Sequence, residues 1–347
     1  MNSTDSQAIH TQSVGIDISE ATLEVRLGSA TNGQFYFTHA KSFANTEEGY
    51  RQMLEWVQSK KHTDKYWFIM EATGVYYEEL AYWLHQAGKQ VCVLVPNRAK
   101  HYAKSLPVDS KTDAIDAHVL ARYGLERRPR RWQPGSRVLR RIKALLRERQ
   151  QLKKQQTQLK NRLHAAGRAW EHPKSSLQRM TDHIEHIAGY LQQIERQLDQ
   201  LWRSERKLAE PIRRIGEICG LGRQSLLEVV AETNGFALIN NRNQLASYAG
   251  LDVVLDQTGN RQGATKISKR GNAHIRRALY MPALSAIQHN KALKAFYQRL
   301  LEKCSEDDKK KAVTAVMRKL LLLIYSLWKS GQSYDPDFHY RQITKTA

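Results

Sequence analysis

Cysteine is scarce in this chain, and the positions of its three cysteines exclude two common kinds of framework. Cys92, Cys219 and Cys304 have no zinc-ligand spacing, and three residues cannot form a disulfide framework. Apolar runs are also short, because Arg318 and Lys319 interrupt the most apolar run near the C-terminus. The polar N-terminus lacks the basic-then-apolar layout of a secretory signal. The sequence therefore predicts a cytoplasmic protein with no membrane association.

Acidic residues are few compared with basic ones. The 347 residues include 55 Lys and Arg against 34 Asp and Glu, a formal net charge of +21. Such an excess favours polyanionic partners, nucleic acid first, because neutralising phosphates releases condensed counterions. Fifteen of the basic residues, and the single acid Glu148, lie between Arg127 and Arg168. This basic stripe has two interpretations, a nucleic-acid contact surface or the solvated face of a helix. The candidate nucleic-acid contacts are Arg137, Arg140, Arg141, Lys143, Arg147 and, outside the stripe, Lys269 and Arg270.

The sequence predicts an α/β domain followed by all-α regions. The predicted elements are, in order, strands 14–18, 23–27 and 35–37, a helix through 53–57, strand 66–70, helix 77–86, strand 91–95 and a helix containing 113–123. Because three strands precede the alternation of strands and helices, we expect a mixed sheet flanked by helices over residues 1–128. Residues 129–209 predict two long basic helices that form an antiparallel hairpin or coiled coil. Residues 210–347 are mostly helical, with a polar loop at 251–270.

Four acidic residues stand where catalytic carboxylates are expected. Asp17 lies between two isoleucines of a strand pattern, where an ionised carboxylate needs a cation or hydrogen-bond partners. Glu71 follows an apolar run at a strand end, and Asp113 and Asp116 share one face of a helix. Each alone has an ordinary alternative, a solvated edge-strand charge for Asp17 and a helix-start carboxylate for the other three.

Together, the four acids match the needs of two-metal phosphoryl transfer. In that chemistry two Mg²⁺ ions about 4 Å apart clamp the attacking and leaving oxygens. Mg²⁺ prefers carboxylate oxygens and retained waters, which such a cluster supplies without His or Cys. The arrangement resembles the RNase H-like, or RuvC-like, nuclease fold.

Six motifs, spread over nearly the whole chain in the expected order, resemble one family. They are Val14-Gly15-Ile16-Asp17, Glu71-Ala72-Thr73-Gly74, Lys111-Thr112-Asp113-Ala114-Ile115-Asp116-Ala117, Leu245-Ala246-Ser247-Tyr248-Ala249-Gly250-Leu251, Ile267-Ser268-Lys269-Arg270-Gly271-Asn272 and Arg276-Arg277-Ala278-Leu279-Tyr280. The motifs are similar to those of the DEDD transposases of the "IS one-ten" insertion-sequence family, whose relatives include the Piv DNA invertases.

This resemblance implies a RuvC-like domain, a coiled-coil insertion and a helical transposase domain that carries a serine nucleophile. By resemblance, Asp17, Glu71, Asp113 and Asp116 would bind Mg²⁺, and the serine would attack a DNA phosphate to hold the strand covalently. The family also implies donor and target DNA and an element-encoded bridge RNA that pairs with both. A homo-oligomer is implied too, in which the acids of one subunit meet the hydroxyl of another.

The chain departs from the family at the nucleophile. The family serine lies eight residues after the glycine of the Ala-Gly-Leu motif, and counting from Gly250 reaches Thr258. Threonine keeps a hydroxyl, although its methyl group crowds the oxygen. The nearest alternative hydroxyl is that of Ser268, for which an ordinary helix N-cap before Ala273 is the favoured interpretation.

Two other functions remain open on the sequence alone. A water-using RuvC-like junction nuclease would account for residues 1–128 but not for the polar loop. A nucleic-acid-binding relative that has lost catalysis would account for Thr258. The interpretation that explains most motifs is a transposase that cuts and rejoins DNA strands.

Overall fold

The computed structural model divides the chain into two compact units, Met1–Pro134 and Gly135–Ala347. It describes residues 12–60, 66–72, 74–106, 112–237, 239–254, 257–258, 261–262, 266–302 and 309–336. The three domains predicted from the sequence, 1–128, 129–209 and 210–347, stay a prediction. In the structure, the long helices that follow Gly135 pack within the second unit. No helix in the described ranges is long and apolar enough to cross a membrane.

In its described residues, the first unit consists of one sheet and four helices. Its strands are β1 Gln12–Ile18, β2 Thr22–Thr31, β3 Gln34–Tyr36, β4 Ala40–Ala44, β5 Trp67–Glu71 and β6 Gln90–Leu94. Its helices are α1 Glu47–Ser59, α2 Glu78–Gln86, α3 Pro96–Ala103 and α4 Asp113–Arg127. The predicted mixed sheet is therefore confirmed, and the sequence patterns missed only β4 and α3 in this part of the described chain.

The strand order of the sheet is β3-β2-β1-β5-β6, with β4 also paired to β2. Strand β2 runs antiparallel to β1, β3 and β4, whereas β5 runs parallel to both β1 and β6. An antiparallel group thus continues into parallel strands joined by helices. The carboxyl ends of β1, β5 and β6 consequently lie at the same edge of the sheet.

The two faces of this sheet pack against different helices. Val14, Ile16 and Ile18 of β1 are buried in a core that includes residues of α1 and α2. Trp67 and Ile69 of β5 are buried on the other face, with residues of α3 and α4. Because side chains alternate along a strand, the residues between the buried β1 positions face α4.

The second unit is almost entirely helical in its described part. Its helices are α5 Arg137–Ala166, α6 Lys174–Ser204, α7 Arg206–Ile215, α8 Arg223–Glu232, α9 Arg242–Tyr248, α10 Ala273–His289, α11 Lys291–Leu301 and α12 Lys309–Ser330. Helices α5 and α6 are the predicted hairpin, and contacts of Arg149 with Glu195 and of Gln156 with Ile184 show that they run antiparallel. One apolar core joins the base of this hairpin to α8, α10 and α12.

The polar segment 251–270 is more regular than a loop. Strand β7 Val253–Val254 pairs with β10 Lys266–Ile267, and β8 Gln257–Thr258 pairs with β9 Arg261–Gln262. These two-residue strands are antiparallel in both pairs. The predicted polar loop therefore contains two short antiparallel strand pairs in its described residues, which its lack of apolar periodicity did not predict.

Candidate active site

Asp17 and Glu71 stand at the ends of neighbouring parallel strands. The pairing of β1 with β5 runs from Ser13 opposite Trp67 to Ile16 opposite Met70, so the two acids follow its last pair. Asp17 faces away from the buried isoleucines of β1. Glu71 shares its side of β5 with Ile69, which packs toward α4. The sheet therefore directs both carboxylates toward the same helix.

Helix α4 approaches β1 very closely because residue 15 is glycine. A Cβ atom built on Gly15 would lie 2.0 Å from the carbonyl oxygen of Ala117 and 2.3 Å from the amide nitrogen of Ala121. The hydroxyl of Ser13 also donates a hydrogen bond to the carbonyl oxygen of Ala121. The start of α4 is fixed by Thr112, whose side-chain oxygen accepts from the backbone N–H of Ile115 at 3.3 Å.

This contact brings the two acids of the first turn of α4, Asp113 and Asp116, close to Asp17. Burial, followed by repulsion from Asp116, Asp113 and Glu71, raises the pKa of Asp17 from 3.8 to about 6. Like charges disfavour ionisation of a carboxyl that is already partly removed from water. The four predicted acids are thus electrostatic neighbours at one edge of the sheet.

The donor set fits a hard divalent cation. All four side chains offer carboxylate oxygens, the ligands that Mg²⁺ prefers, and their mutual repulsion contributes to the raised pKa of Asp17. No group of three His, Cys, Asp or Glu side chains within the described ranges is already arranged to hold a metal ion. What suits the four acids to a divalent cation is their oxygen chemistry and their nearness to one another.

The motif glycines of the second unit allow two backbone segments to touch at the base of the polar segment. A Cβ atom on Gly271 would lie 2.3 Å from both the amide nitrogen of Gly250 and the carbonyl oxygen of Tyr248. Arg276 donates from Nη1 to the carbonyl oxygens of Ala249 and Gly271 at 2.9 and 3.0 Å. These contacts hold the two motifs against each other, although Gly250 and Gly271 are 21 residues apart in the sequence.

The two candidate hydroxyls have different surroundings. Thr258 belongs to β8 opposite Arg261, and its side chain lies outside the described part of the structure. The Ser268 hydroxyl donates to the Asp252 carboxylate, and the Ser268 amide donates to the Asp252 carbonyl at 2.9 Å. The predicted N-cap role of Ser268 is wrong, because Asn272 caps α10 by accepting from His274 and Ile275.

Two predicted nucleic-acid contacts take part in ion pairs inside the second unit. Lys143 Nζ and Arg147 Nη2 each lie 3.1 Å from a carboxylate oxygen of Glu232, whose side chain is only 3% exposed. Asn272 Nδ2 also donates to Glu232 at 2.8 Å. Burial alone would raise the pKa of Glu232, but Asn272, Lys143 and Arg147 outweigh it and lower the pKa. Glu232 was not predicted from the sequence, although an acid at the end of the short apolar run 229–231 was a visible signal.

The remaining predicted contacts are exposed. Arg137, Arg140 and Arg141 lie on the solvent side of α5, and Lys269 and Arg270 lie between β10 and α10. Lys269 adopts a left-handed backbone conformation with φ of 53°, and its amide donates to the carbonyl oxygen of Gly250. Arg137, Arg141, Lys269 and Arg270 are thus accessible to a polyanion.

The strand order and the carboxylates define the first unit as an RNase H-like domain. The antiparallel strands β3, β2 and β1 continue into the parallel strands β5 and β6, with Asp17 and Glu71 at the ends of adjacent strands. Helix α4 crosses the face toward which both acids point and adds Asp113 and Asp116.

Comparison with known proteins identifies the family. A transposase family model of the DEDD type matches residues 14–166, and a model of the transposase IS116/IS110/IS902 family matches residues 212–298. Pilin gene-inverting proteins of Moraxella bovis and Moraxella lacunata are each 30% identical to this chain, covering 94% of it and 98% of their own length. The chain belongs to the IS110 family of transposases, and it is a DNA-recombining enzyme.

Solved structures are only distantly similar. The Thermus thermophilus RuvC structure is 13% identical, with a TM-score of 0.25 over 32% of this chain and 90% of RuvC. A likeness this weak carries no argument about function, and the strand order defines the fold.

Proposed function

We propose that the chain cuts DNA strands and rejoins them through a covalent protein–DNA intermediate, using Mg²⁺ held by Asp17, Glu71, Asp113 and Asp116 and the hydroxyl of Thr258. The observation that carries the proposal is the convergence of four carboxylates at one edge of an RNase H-like sheet, marked by the raised pKa of Asp17. The net charge of +21 favours binding of the DNA phosphates, whereas the clustered acids favour binding of cations.

The covalent step exchanges one phosphodiester for another. The oxygen of Thr258 attacks the phosphorus atom, an O–P bond to the protein forms, and the P–O bond to one side of the cut strand breaks. The hydroxyl proton ends on the departing DNA oxygen. Rejoining reverses these bond changes with a different strand end, so no external energy source is needed.

The carboxylates prepare the site for this step. These four side chains would hold Mg²⁺, which would stabilise the negative charge that develops on the phosphate and on the leaving oxygen. Asp17 is positioned by β1 and Glu71 by β5, so a rigid sheet edge fixes half of the ligand set. Asp113 and Asp116 enter from the first turn of α4, which packs directly on Gly15.

Sequence recognition is assigned to a bridge RNA. By membership in this family, we propose an element-encoded RNA that pairs with donor and target DNA, which leaves the protein to hold backbones. We also propose a homo-oligomer, in which acids and hydroxyl from different protomers complete one site. Because its substrate is DNA, we propose that the protein is located at the nucleoid in the prokaryotic cytoplasm.

Trapping of the covalent adduct tests this function. Incubation of the protein with Mg²⁺, the bridge RNA and labelled DNA carrying the element ends is expected to give a denaturation-resistant protein–DNA band. Thr258→Ala should abolish the band because it removes the attacking oxygen, whereas Thr258→Ser should retain or increase it because the crowding methyl group is lost. Ser268→Ala should leave the band present.

Other outcomes separate the alternatives. Adducts that persist in Thr258→Ala and disappear in Ser268→Ala would transfer the nucleophile to Ser268. Cut DNA without any adduct would identify a water-using nuclease. Binding without cutting, in wild type and in Thr258→Ser alike, would identify a relative that has lost catalysis.

A second expected result concerns the exposed arginines of α5. Arg137→Gln combined with Arg141→Gln should weaken DNA binding about equally for all sequences, because phosphate contacts carry no sequence information. The slope of log affinity against log salt should become shallower by about 2, since each lost phosphate contact contributes roughly 0.9. Fluorescence anisotropy at several salt concentrations measures this slope.

Lys143→Gln combined with Arg147→Gln is the matched control from the same helix. Both cations bind Glu232, so their loss should leave the salt slope nearly unchanged and lower the melting temperature instead. Equal slope changes in the two double variants would contradict the assignment.

A further inference from the structure

Trp170 is the most exposed aromatic side chain of the described structure. Its relative exposure is 103%, whereas the other six tryptophans are buried or partly buried. It lies in the turn 167–173 that joins α5 to α6. The ring is not buried against any described part of the fold, so its faces are accessible to a ligand.

The hairpin carries this tryptophan far from the core of its unit. The buried residues of α5 end at Leu146, and those of α6 begin at Ile187. The twenty residues from Leu146 to Ala166 span about 30 Å at 1.5 Å per residue. Trp170 therefore stands at the end of a long helical arm whose outer part contributes no buried side chain to that core.

Positive charge at the end of this arm is not neutralised. The hairpin tip, defined here as residues 160–179, contains five basic residues and one acid, Glu171. The basic residues are Lys160, Arg162, Arg168, Lys174 and Arg179, and all five are exposed. No ion pair within the described ranges involves any of them, whereas Lys143, Arg147 and Arg149 nearer the core are all paired with glutamates.

We propose that the hairpin tip binds an unpaired base of the DNA substrate, with Trp170 stacking on the base and the surrounding cations contacting the adjacent phosphates. An exposed aromatic ring among basic side chains is suited to single-stranded nucleic acid. A paired base is already stacked on its neighbours, so the ring gains most from an unpaired one. Strand exchange by a DNA-recombining enzyme creates such nucleotides.

The charge argues against a second copy of the chain as the occupant. Two identical tips facing each other would place five exposed cations against five more, at a cost in electrostatic repulsion. A polyanion is attracted to the same surface. The proposal rests on the DNA activity of the proposed function, but it needs neither Mg²⁺ nor the nucleophile.

The test measures binding alone, without Mg²⁺, by fluorescence anisotropy. The probes are a duplex with an internal run of unpaired thymines and its fully paired counterpart. Wild type should prefer the first probe, and Trp170→Ala should bind it roughly five- to a hundredfold more weakly, the range for loss of one base–aromatic stack. Binding of the paired duplex should change little, and Trp170→Phe should restore most of the preference.

Two controls separate stacking from charge and from general damage. Tyr190→Ala removes another exposed aromatic of the hairpin, 51% exposed and well away from the tip, and should have no effect. Trp170→Ala should keep the wild-type salt slope, since no phosphate contact is lost, whereas Arg168→Gln with Lys174→Gln should make it shallower.

Several results would overturn the proposal. These are equal binding of both probes by wild type, equal weakening of both by Trp170→Ala, tighter binding of an RNA version of the probe, or a change of oligomeric state in Trp170→Ala. Because covalent adduct formation is not part of the assay, failure here is distinguishable from failure of the proposed function.

Discussion

Asp17→Asn is expected to abolish most DNA cleavage while making the metal-free protein more stable at pH 7. The carboxylate supplies a ligand for the proposed cation, and metal ions contribute several kcal/mol to stabilising the charge of a phosphoryl-transfer transition state. A loss of about 3–4 kcal/mol of this stabilisation corresponds to roughly a 10²- to 10³-fold lower rate. The cleavage rate of labelled DNA in Mg²⁺ measures the first effect.

The stability effect has a definite sign and pH range. The pKa of Asp17 is raised from 3.8 to about 6, so the folded state binds its proton more tightly than the unfolded chain does. The contribution of Asp17 to the free energy of unfolding therefore falls as the pH rises through the interval from about 4 to 6 and is constant above it. Two pKa units would amount to about 3 kcal/mol, and partial exposure of Asp17 reduces our expectation to about 1–2 kcal/mol.

Asparagine removes this penalty because it carries no charge. Asp17→Asn should thus unfold at higher urea than wild type at pH 7, and the two should converge below about pH 4. Mg²⁺ should stabilise wild type more than the variant, since a ligand that binds only the folded state raises its stability. Glu20→Gln, an exposed acid three residues away, should change neither rate nor stability. A wild-type cleavage rate in Asp17→Asn would exclude the metal role.

The acidic cluster was accessible from sequence because its signals are local. Asp17 interrupts an apolar alternation, Glu71 ends an apolar run, and Asp113 and Asp116 are spaced for one helix face. Their convergence depended on the parallel pairing of β1 with β5 and on the close approach of α4 at Gly15. The succession of strands and helices was enough to predict that a sheet would bring them together.

Other features were hidden because their causes are nonlocal. Strand β4 has a single buried residue, Phe43, and is defined by its pairing with β2. Helix α3 begins at a proline and is too short to show an apolar period. Lys143 and Arg147 looked like members of a solvated stripe, because nothing near them in sequence shows that Glu232 lies beside them in the fold.

Glu232→Gln is expected to destabilise the second unit by about 2–4 kcal/mol at pH 7. The carboxylate is buried, and it joins α5 to α8 through Lys143 and Arg147. Breaking a buried ion pair typically costs 3–5 kcal/mol, and the partial exposure of both cations reduces that figure. Urea-induced unfolding followed by circular dichroism measures the loss.

The pH dependence of this loss is opposite to that of Asp17. The pKa of Glu232 lies below its ordinary value of 4.5, so the carboxylate stabilises the fold above that pH. The stabilisation disappears as the pH falls through the lowered pKa of the folded state. The difference between wild type and Glu232→Gln should therefore be full at pH 7 and shrink on acidification.

Glu228 provides the matched control, because it lies one turn earlier on α8 and pairs with Arg277 at 2.6 Å. Burial raises the pKa of Glu228, so its charge is a cost to the fold and Glu228→Gln should be neutral or slightly stabilising at pH 7. Equal effects of the two substitutions would contradict the role assigned to Glu232.

Coupling between Glu232 and Arg147 decides whether the contact is a true ion pair. In a double-mutant cycle, Glu232→Gln with Arg147→Gln should destabilise the protein by less than the sum of the single changes, because Arg147→Gln then removes a cation that has already lost its partner.

Glu232 also accepts a hydrogen bond from Asn272, the N-cap of α10. The adduct yield of Glu232→Gln should therefore fall even at temperatures where the protein remains folded, since the segment before α10 follows the strands that contain Thr258. An unchanged yield would confine Glu232 to holding α5 against α8.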